Sequence, residues 1–327
     1  MRILLFGATG QIGYSLTKAL AQTTHHITVL VRDRTKRPFP ETVRVFEYRS
    51  LNPQAFRQAL GGIDHVIYSV GLPEQYMPDT NVFERVNLDL LKTFLAEMAN
   101  SGASALTYIS TYEVFQAING VIRESHPVVS EIGFSPYFQS MIRAYRLVTD
   151  FATRHDIQLV TIHPAAVYGG LNTGEGFTNY IDNLLHKRFW RVPFVFDGRF
   201  PVVHADSLAE AIIASLSGVG AYIVSEQMTT LKAIASVLRQ HADSYVPLNA
   251  PVKMASAGAT VLEWLARFAG TRPIMARVQI DFITQGIEPL SERIIDGRGW
   301  RPRTLDEGLV KYLENRPAAT SAGSARA

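Results

Sequence analysis

The feature that most restricts how this chain can fold is the apolar run Ile3-Leu4-Leu5-Phe6 followed by glycines at 7, 10 and 13. Four apolar residues in succession suit a short strand buried on both faces of a parallel sheet. Tyr14 to Gln22 reads as a helix, and a second apolar strand, Ile27 to Val31, comes after it. Strand, glycine turn and helix together let the backbone approach a pyrophosphate and seat it at a helix N-terminus. A glycine triplet alone is a weak signal. In this context it predicts a dinucleotide-binding fold.

The alternation continues. Val43–Phe46, His65–Val70, Ala105–Ile109 and Gln158–Ile162 read as further strands. Between them, 81–98 carries apolar residues at a helical period, and 136–155 does the same. The pattern predicts an α/β fold, a Rossmann-like doubly wound parallel sheet with helices on both faces. After Pro164 it loosens into Gly169-Gly170-Leu-Asn-Thr-Gly174-Glu-Gly176, read as a flexible loop. The expected division is a dinucleotide-binding domain over 1–164, with late strands from about 195–225, and a smaller interleaved α/β substrate-binding cap over 165–315. The small, polar residues of 316–327 are expected to be disordered.

A net charge of +3 is too small for a nucleic-acid footprint, so the basic residues from Arg32 to Arg37 point to a local anion instead. The absence of cysteine excludes disulfides, thiolate catalysis and cysteine-ligated zinc. The histidines show no metal-ligand spacing, and no metal is expected. No apolar run approaches the ~20 residues a membrane span needs, and a strand opening at residue 2 leaves no place for a signal peptide. The expectation is a cytoplasmic protein without a membrane partner.

Four segments in order carry a family resemblance: the Gly7–Gly13 turn; Tyr108-Ile-Ser110-Thr111-Tyr112-Glu113-Val114-Phe115; Ser135-Pro136-Tyr137-Phe-Gln-Ser140; and His163-Pro164-Ala-Ala-Val167-Tyr168-Gly169 with Val203-His204-Ala-Asp206 downstream. Together they resemble the extended short-chain dehydrogenase/reductase family, the group of nucleotide-sugar epimerases, dehydratases and dihydroflavonol-reductase-like enzymes. The closing Gly299-Trp300-Arg-Pro is similar to that family as well.

The resemblance implies a pyrophosphate over Gly7, Gly10, Gln11, Ile12 and Gly13. It places Ser69, Val70 and Gly71 against the adenosine half, and Tyr137 and His163 among the cofactor contacts. Arg32, ending the second strand, resembles the arginine that accommodates the 2′-phosphate of NADP, so NADP(H) is the expected cofactor. Asp33 keeps NAD(H) open, and a solvated basic loop is the competing reading of the arginines. Where relatives often carry an adenine-contacting aspartate, this chain reads Tyr48-Arg49-Ser50-Leu51. Asn87 matches a helix asparagine that organises backbone and water.

For catalysis the resemblance implies a hydroxyl that orients the substrate oxygen, Thr111, and a proton-transferring tyrosine, Tyr137. A lysine four residues beyond would lower the tyrosine pKa, because a nearby cation favours phenolate. That position is Met141. Losing about two pKa units of activation corresponds to roughly 3 kcal/mol of driving force. Arg143 or His163 could supply the cation. Alternatively, Glu113 or Tyr112 could assist, since the run is similar to the Ser-Thr-Asp-Glu-Val of sugar-nucleotide dehydratases with Tyr112 in the Asp place.

A diphosphate-holding arginine would fall at Phe200, with Arg199 one place off, while His204 and Asp206 read as structural. The leading expectation is therefore an NADP(H)-preferring oxidoreductase acting on a carbonyl or hydroxyl of a small-molecule substrate. The alternatives are a nucleotide-sugar epimerase or dehydratase with tightly held NAD, and a dinucleotide-binding protein without turnover. The resemblance also suggests a homodimer through the helices at 81–98 and 136–155.

Overall fold

The computed structural model describes residues 1–48, 52–72, 76–131, 135–171, 176–192, 194–271, 273 and 275–316. Of the tail expected to be disordered, only Arg316 falls among them, and Arg49, Ser50 and Leu51 lie outside them.

Strands β1 (Arg2–Phe6), β2 (His26–Val31), β3 (Arg44–Glu47), β4 (His65–Tyr68) and β5 (Ala105–Ile109) come first. The two-residue β6 (Val121–Ile122) lies outside their sheet and β7 (Gln158–Pro164) re-enters it. The chain then forms β8 (Ala166–Tyr168), β9 (Phe194–Val195) and β10 (Phe200–His204) before β11 (Gly220–Val224) returns. The resulting seven-stranded sheet has the order β11-β7-β5-β4-β1-β2-β3, with every pair parallel. Strand order reverses between β1 and β4, the switch point at which open α/β sheets leave a crevice beyond the strands' carboxyl ends.

Burial on both faces explains why β1 is apolar from Ile3 to Phe6. Ile3 and Leu5 enter one core and Leu4 and Phe6 the other. On the first face α1 (Gln11–Leu20) packs through Leu16 and Leu20. On the second, α2 (Pro53–Leu60) contributes Phe56. Next comes a single helical passage: α3 (Asn81–Phe83), a π-helical turn over Glu84–Asp89, and α4 (Leu90–Met98). Phe94 from α4 and Val148 from α5 (Pro136–His155) complete this core, each large side chain being worth about 1.5–3 kcal/mol of burial. Ser135 caps α5, Pro136 occupies its first turn, and Asp156 ends it at a left-handed φ of 52°.

The C-terminal region builds its own core. Helix α6 (Gly176–Leu185) contributes Ile181 and Leu184, whereas α7 (Ala205–Ser215) packs back on α1 beside the main sheet. Strand β12 (Gln227–Thr229) joins β10 and β8 in a three-stranded sheet, backed by α8 (Leu231–His241). Strand β13 (Leu248–Asn249) pairs with β9 and leads into α9 (Val252–Phe268) and α10 (Arg277–Thr284). Strand β14 (Glu288–Pro289) pairs with β6, tying this region to the segment after β5. Then α11 (Glu292–Arg298) and α12 (Leu305–Asn315) follow. Trp300 between them is buried, and its indole N–H donates to the Ser207 carbonyl at 3.0 Å.

Candidate functional site

At the carboxyl end of β1 the backbone itself forms the cradle. Gly7 has φ +103°, and a side chain there would overlap the Ser69 carbonyl. A side chain at Gly13 would overlap the Gly7 carbonyl. Gly10 is the extended N-cap of α1 and supplies no side-chain cap. The first N–H groups of the helix, from Gln11 onward, therefore face outward without intrahelical acceptors, the ordinary geometry for an anion. The Gln11 side chain has a role that no sequence motif marks: its amide donates to the Gly169 carbonyl at 2.9 Å and to Thr178 Oγ1 at 2.6 Å. Gln11 thus ties the turn to β8 and α6.

Arg32 is exposed directly beyond β2. Its neighbour Asp33 is folded back on the chain, with Oδ1 accepting from the Thr35 N–H at 2.9 Å and the Thr35 hydroxyl at 2.6 Å. Those bonds hold the Asp33 carboxyl below its ordinary range. Ser69 and Val70 are half-buried and Gly71 is exposed at the end of β4. Asn87, on the π turn, accepts from the Leu72 N–H at 2.8 Å and so fixes the exit of that strand.

At the end of β5, Thr111 opens a 3-10 turn over Tyr112–Val114. Its hydroxyl donates to Glu113 Oε2 at 3.3 Å. Glu113 keeps some of its surface open while its carboxyl is enclosed, and burial pushes that carboxyl up to about 8 against hydrogen bonds from Gln285 and Thr111. Gln285 closes α10, far along the chain, and nothing in the sequence marked it. Tyr112 is buried, its phenol pushed upward by burial and by the Glu113 charge.

Tyr137 stands in the first turn of α5, half-buried, with its ring edge-on to Phe83 at 5.9 Å. Helix α5 packs on the Thr111–Val114 turn, where Ile142 and Val114 share one apolar cluster. The fold therefore brings the helix bearing Tyr137 to the turn bearing Thr111 and Glu113.

The lysine position is filled. Met141 is buried, and Asn87 Nδ2 donates to Ser140 Oγ at 2.9 Å while lying 3.9 Å from Met141 Sδ. A thioether carries no charge and accepts only weakly. Neither expected substitute reaches this place. Arg143 lies on the outer side of α5, paired with Glu84 at 2.7 Å and Glu131 at 3.7 Å.

His163 is fully buried, Nδ1 bonded to the Thr111 carbonyl at 3.0 Å and Nε2 to Thr161 Oγ1 at 2.8 Å. Burial drives its pKa down to about 4, so the ring is neutral near pH 7. The expectation that His163 supplies a cation is corrected on that ground: both nitrogens are engaged within the protein, holding the Thr111 backbone in place.

In the C-terminal region, Phe200 is fully buried against Phe177 and Phe282, and Arg199 is exposed. His204 accepts from the Asp206 N–H at 3.2 Å and caps α7, while Asp206 pairs with Lys311 at 3.3 Å. These two side chains serve the fold.

Residues 3–223 match the NAD dependent epimerase/dehydratase family, and the chain belongs to it. A curated relative, N-acetyl-alpha-D-glucosaminyl-diphospho-ditrans,octacis-undecaprenol 4-epimerase of Escherichia coli O157:H7, is 21% identical over 322 residues, covering 95% of this chain and 94% of its own. Among solved structures, UDP-glucuronic acid 4-epimerase from Bacillus cereus, in complex with UDP-glucuronic acid and NAD, is similar at TM-score 0.75. It is 14% identical and covers 96% of this chain and 98% of its own. The Thermus thermophilus UDP-glucose 4-epimerase complex with NAD is similar at TM-score 0.72 and 16% identity, covering 97% and 100%. At these low identities the structural likeness shows the shared fold alone, and the family match shows an enzyme of the epimerase/dehydratase type.

Proposed function

We propose that this protein holds a nicotinamide dinucleotide and remodels a sugar carried on a diphosphate, as an epimerase or dehydratase. This is the alternative reading of the sequence, preferred over reduction of a small free carbonyl compound. The observation that carries it is Glu113: a carboxyl raised to about 8, bonded to Thr111, beside a helix whose tyrosine lacks its lysine. Near neutral pH such a group both gives and accepts a proton with little driving force lost, as acid–base catalysis requires. Thr111 Oγ would position the reacting hydroxyl and Tyr137 would exchange its proton, with Glu113 taking over the role that a lysine-activated phenolate has elsewhere.

The glycine turn fits a dinucleotide: Gly7 and Gly13, where a Cβ would strike the Ser69 and Gly7 carbonyls, let β1 and α1 close tightly, and Gly10 leaves the first N–H groups of α1 without a side-chain cap. Bound there, the cofactor supplies a hydride acceptor and donor. The sugar-bearing relatives support the substrate class, by the names of the molecules they act on or hold. NADP(H) remains our proposed preference, supported by exposed Arg32 and by Asp33 being folded onto Thr35.

The test is to incubate purified protein with UDP-hexoses and NAD or NADP and follow the sugar carbons by NMR. Inversion at a ring carbon, or a deoxy-keto sugar, is the expected result. Steady NADPH consumption with simple aldehydes, and unchanged sugars, would overturn it.

A further inference from the structure

We propose that the outer face of α9 docks on an anionic lipid surface, laying this side of the C-terminal region against a membrane. The inference stands apart from the sugar reading. Among the described residues, eleven of the fourteen exposed large apolar side chains lie between Phe189 and Phe268. Surface hydrophobics scattered singly are ordinary, but a contiguous exposed apolar patch marks a contact site.

Helix α9 carries its share as a stripe. At 3.6 residues per turn, Met254, Val261, Leu265 and Phe268 project within about 60° of one another, and Trp264 flanks them. Met254 is 64% exposed, Trp264 63% and Phe268 85%, whereas the opposite side of the helix buries Ala259 and Ala266. A helix that sends alanines into its core and tryptophan and phenylalanine into solvent has its apolar surplus on the wrong side for folding alone.

Charge selects the occupant. Lys253 and Arg267 are exposed on the Trp264 side of the stripe. The one acid of the helix, Glu263, points elsewhere and accepts from the Arg277 N–H at 2.6 Å. Exposed Phe189 and Trp190 sit between Arg188 and Arg191, just before β9, whose partner β13 leads into α9. Aromatic side chains interleaved with cations match the boundary between acyl chains and anionic headgroups. A second copy fits less well, since a two-fold pairing of α9 would set the Lys253 end of one helix against the Arg267 end of the other. Insertion across the bilayer is a different geometry: no helix among the described residues is long and apolar enough for it.

The experiment is sedimentation of the full chain with vesicles of phosphatidylcholine alone or mixed with phosphatidylglycerol, together with tryptophan emission. Trp300 is buried and Trp190 and Trp264 are exposed, so docking shifts the exposed emission to the blue. The expected result is binding to the mixed vesicles at low salt and about tenfold weaker binding to phosphatidylcholine alone. Trp264→Ser with Phe268→Ser should weaken binding about tenfold or more, and Lys253→Glu with Arg267→Glu should remove the preference for phosphatidylglycerol. Unchanged cofactor affinity and thermal midpoint would show that these variants stay folded. The proposal fails if the wild-type chain ignores both vesicles, or if the Trp264/Phe268 variant binds as well as wild type. It fails equally if the wild-type chain is a dimer in solution that this variant splits while vesicles bind neither, because a second copy then covers the face.

Discussion

The two halves of the cleft are built by different means. At the β1 end, three glycines and a helix start make the site from backbone, and side chains enter mainly by being absent. At the β5 end everything depends on side chains drawn from distant places: Thr111 and Glu113 from a 3-10 turn, Tyr137 from α5, Gln285 from α10, with Asn87 packed on Met141. A backbone site tolerates few substitutions and keeps one purpose. A side-chain site without the lysine still holds, in Glu113, a titratable group tuned by burial rather than by a neighbouring cation, which is what our proposed proton transfer would use.

The sharpest way to break this comparison is to remove the proton-transfer groups. Glu113→Gln should cost on the order of a hundredfold to a thousandfold in kcat with nicotinamide affinity unchanged, and Tyr137→Phe should behave alike. Steady-state kinetics beside a fluorescence titration of NADPH would separate the two effects, and full turnover in either variant would refute the assignment. Gly13→Ala should act the other way, weakening cofactor binding by about a hundredfold, since an added methyl cannot share space with the Gly7 carbonyl.

Met141→Lys should lower stability by about 1–3 kcal/mol, because a buried amine would displace the packing around Asn87 and Ser140 without ready hydration. It should not raise kcat; a rise would mean that the lysine chemistry is only dormant. Arg32→Glu should reduce NADPH affinity about tenfold and leave NADH nearly untouched, which direct titration decides.

A separate effect, on stability and not on turnover, is a pH slope. Glu113 has a folded pKa of about 8 against an ordinary 4.5, so the unfolded chain releases this proton first as pH rises. The stabilisation is whole below about 4.5 and lost on the way up through about 8. Thermal midpoints of Glu113→Gln should therefore gain on wild type toward pH 8 and lose that advantage in acid.

The contrast between the halves also governs what could be read before the structure. Apolar runs at Ile3–Phe6, Ile27–Val31, Val43–Phe46, His65–Val70, Ala105–Ile109 and Gln158–Ile162 correspond to six of the seven parallel strands, since strands inside such a sheet are mostly buried and so mostly apolar, the half-buried edge strand β3 keeping only Val45 and Phe46. The glycine cradle was legible for the same reason: a backbone requirement leaves a mark at every position. The catalytic half was legible only as a set of resemblances. Periodicity over 81–98 implied a helix but not the π turn that carries Asn87, and a change in winding leaves apolar spacing nearly intact. His163 looked like a spare cation because burial, which makes it neutral, is invisible until the fold is known. Gln285 has no local signal at all.

Gln11 ties the β1 half to the C-terminal region, and the expected consequence is kinetic. Its amide spans from the first turn of α1 to the Gly169 carbonyl and the Thr178 hydroxyl, so any outward swing of α6 must first break a pair of hydrogen bonds rooted in the phosphate cradle. On our proposal that the cradle holds a dinucleotide, the two motions should be coupled, and the breathing of the C-terminal region should help to set the cofactor's residence time. Gln11→Ala should shorten that residence in a stopped-flow release experiment, and an unchanged off-rate would show that the two motions are independent.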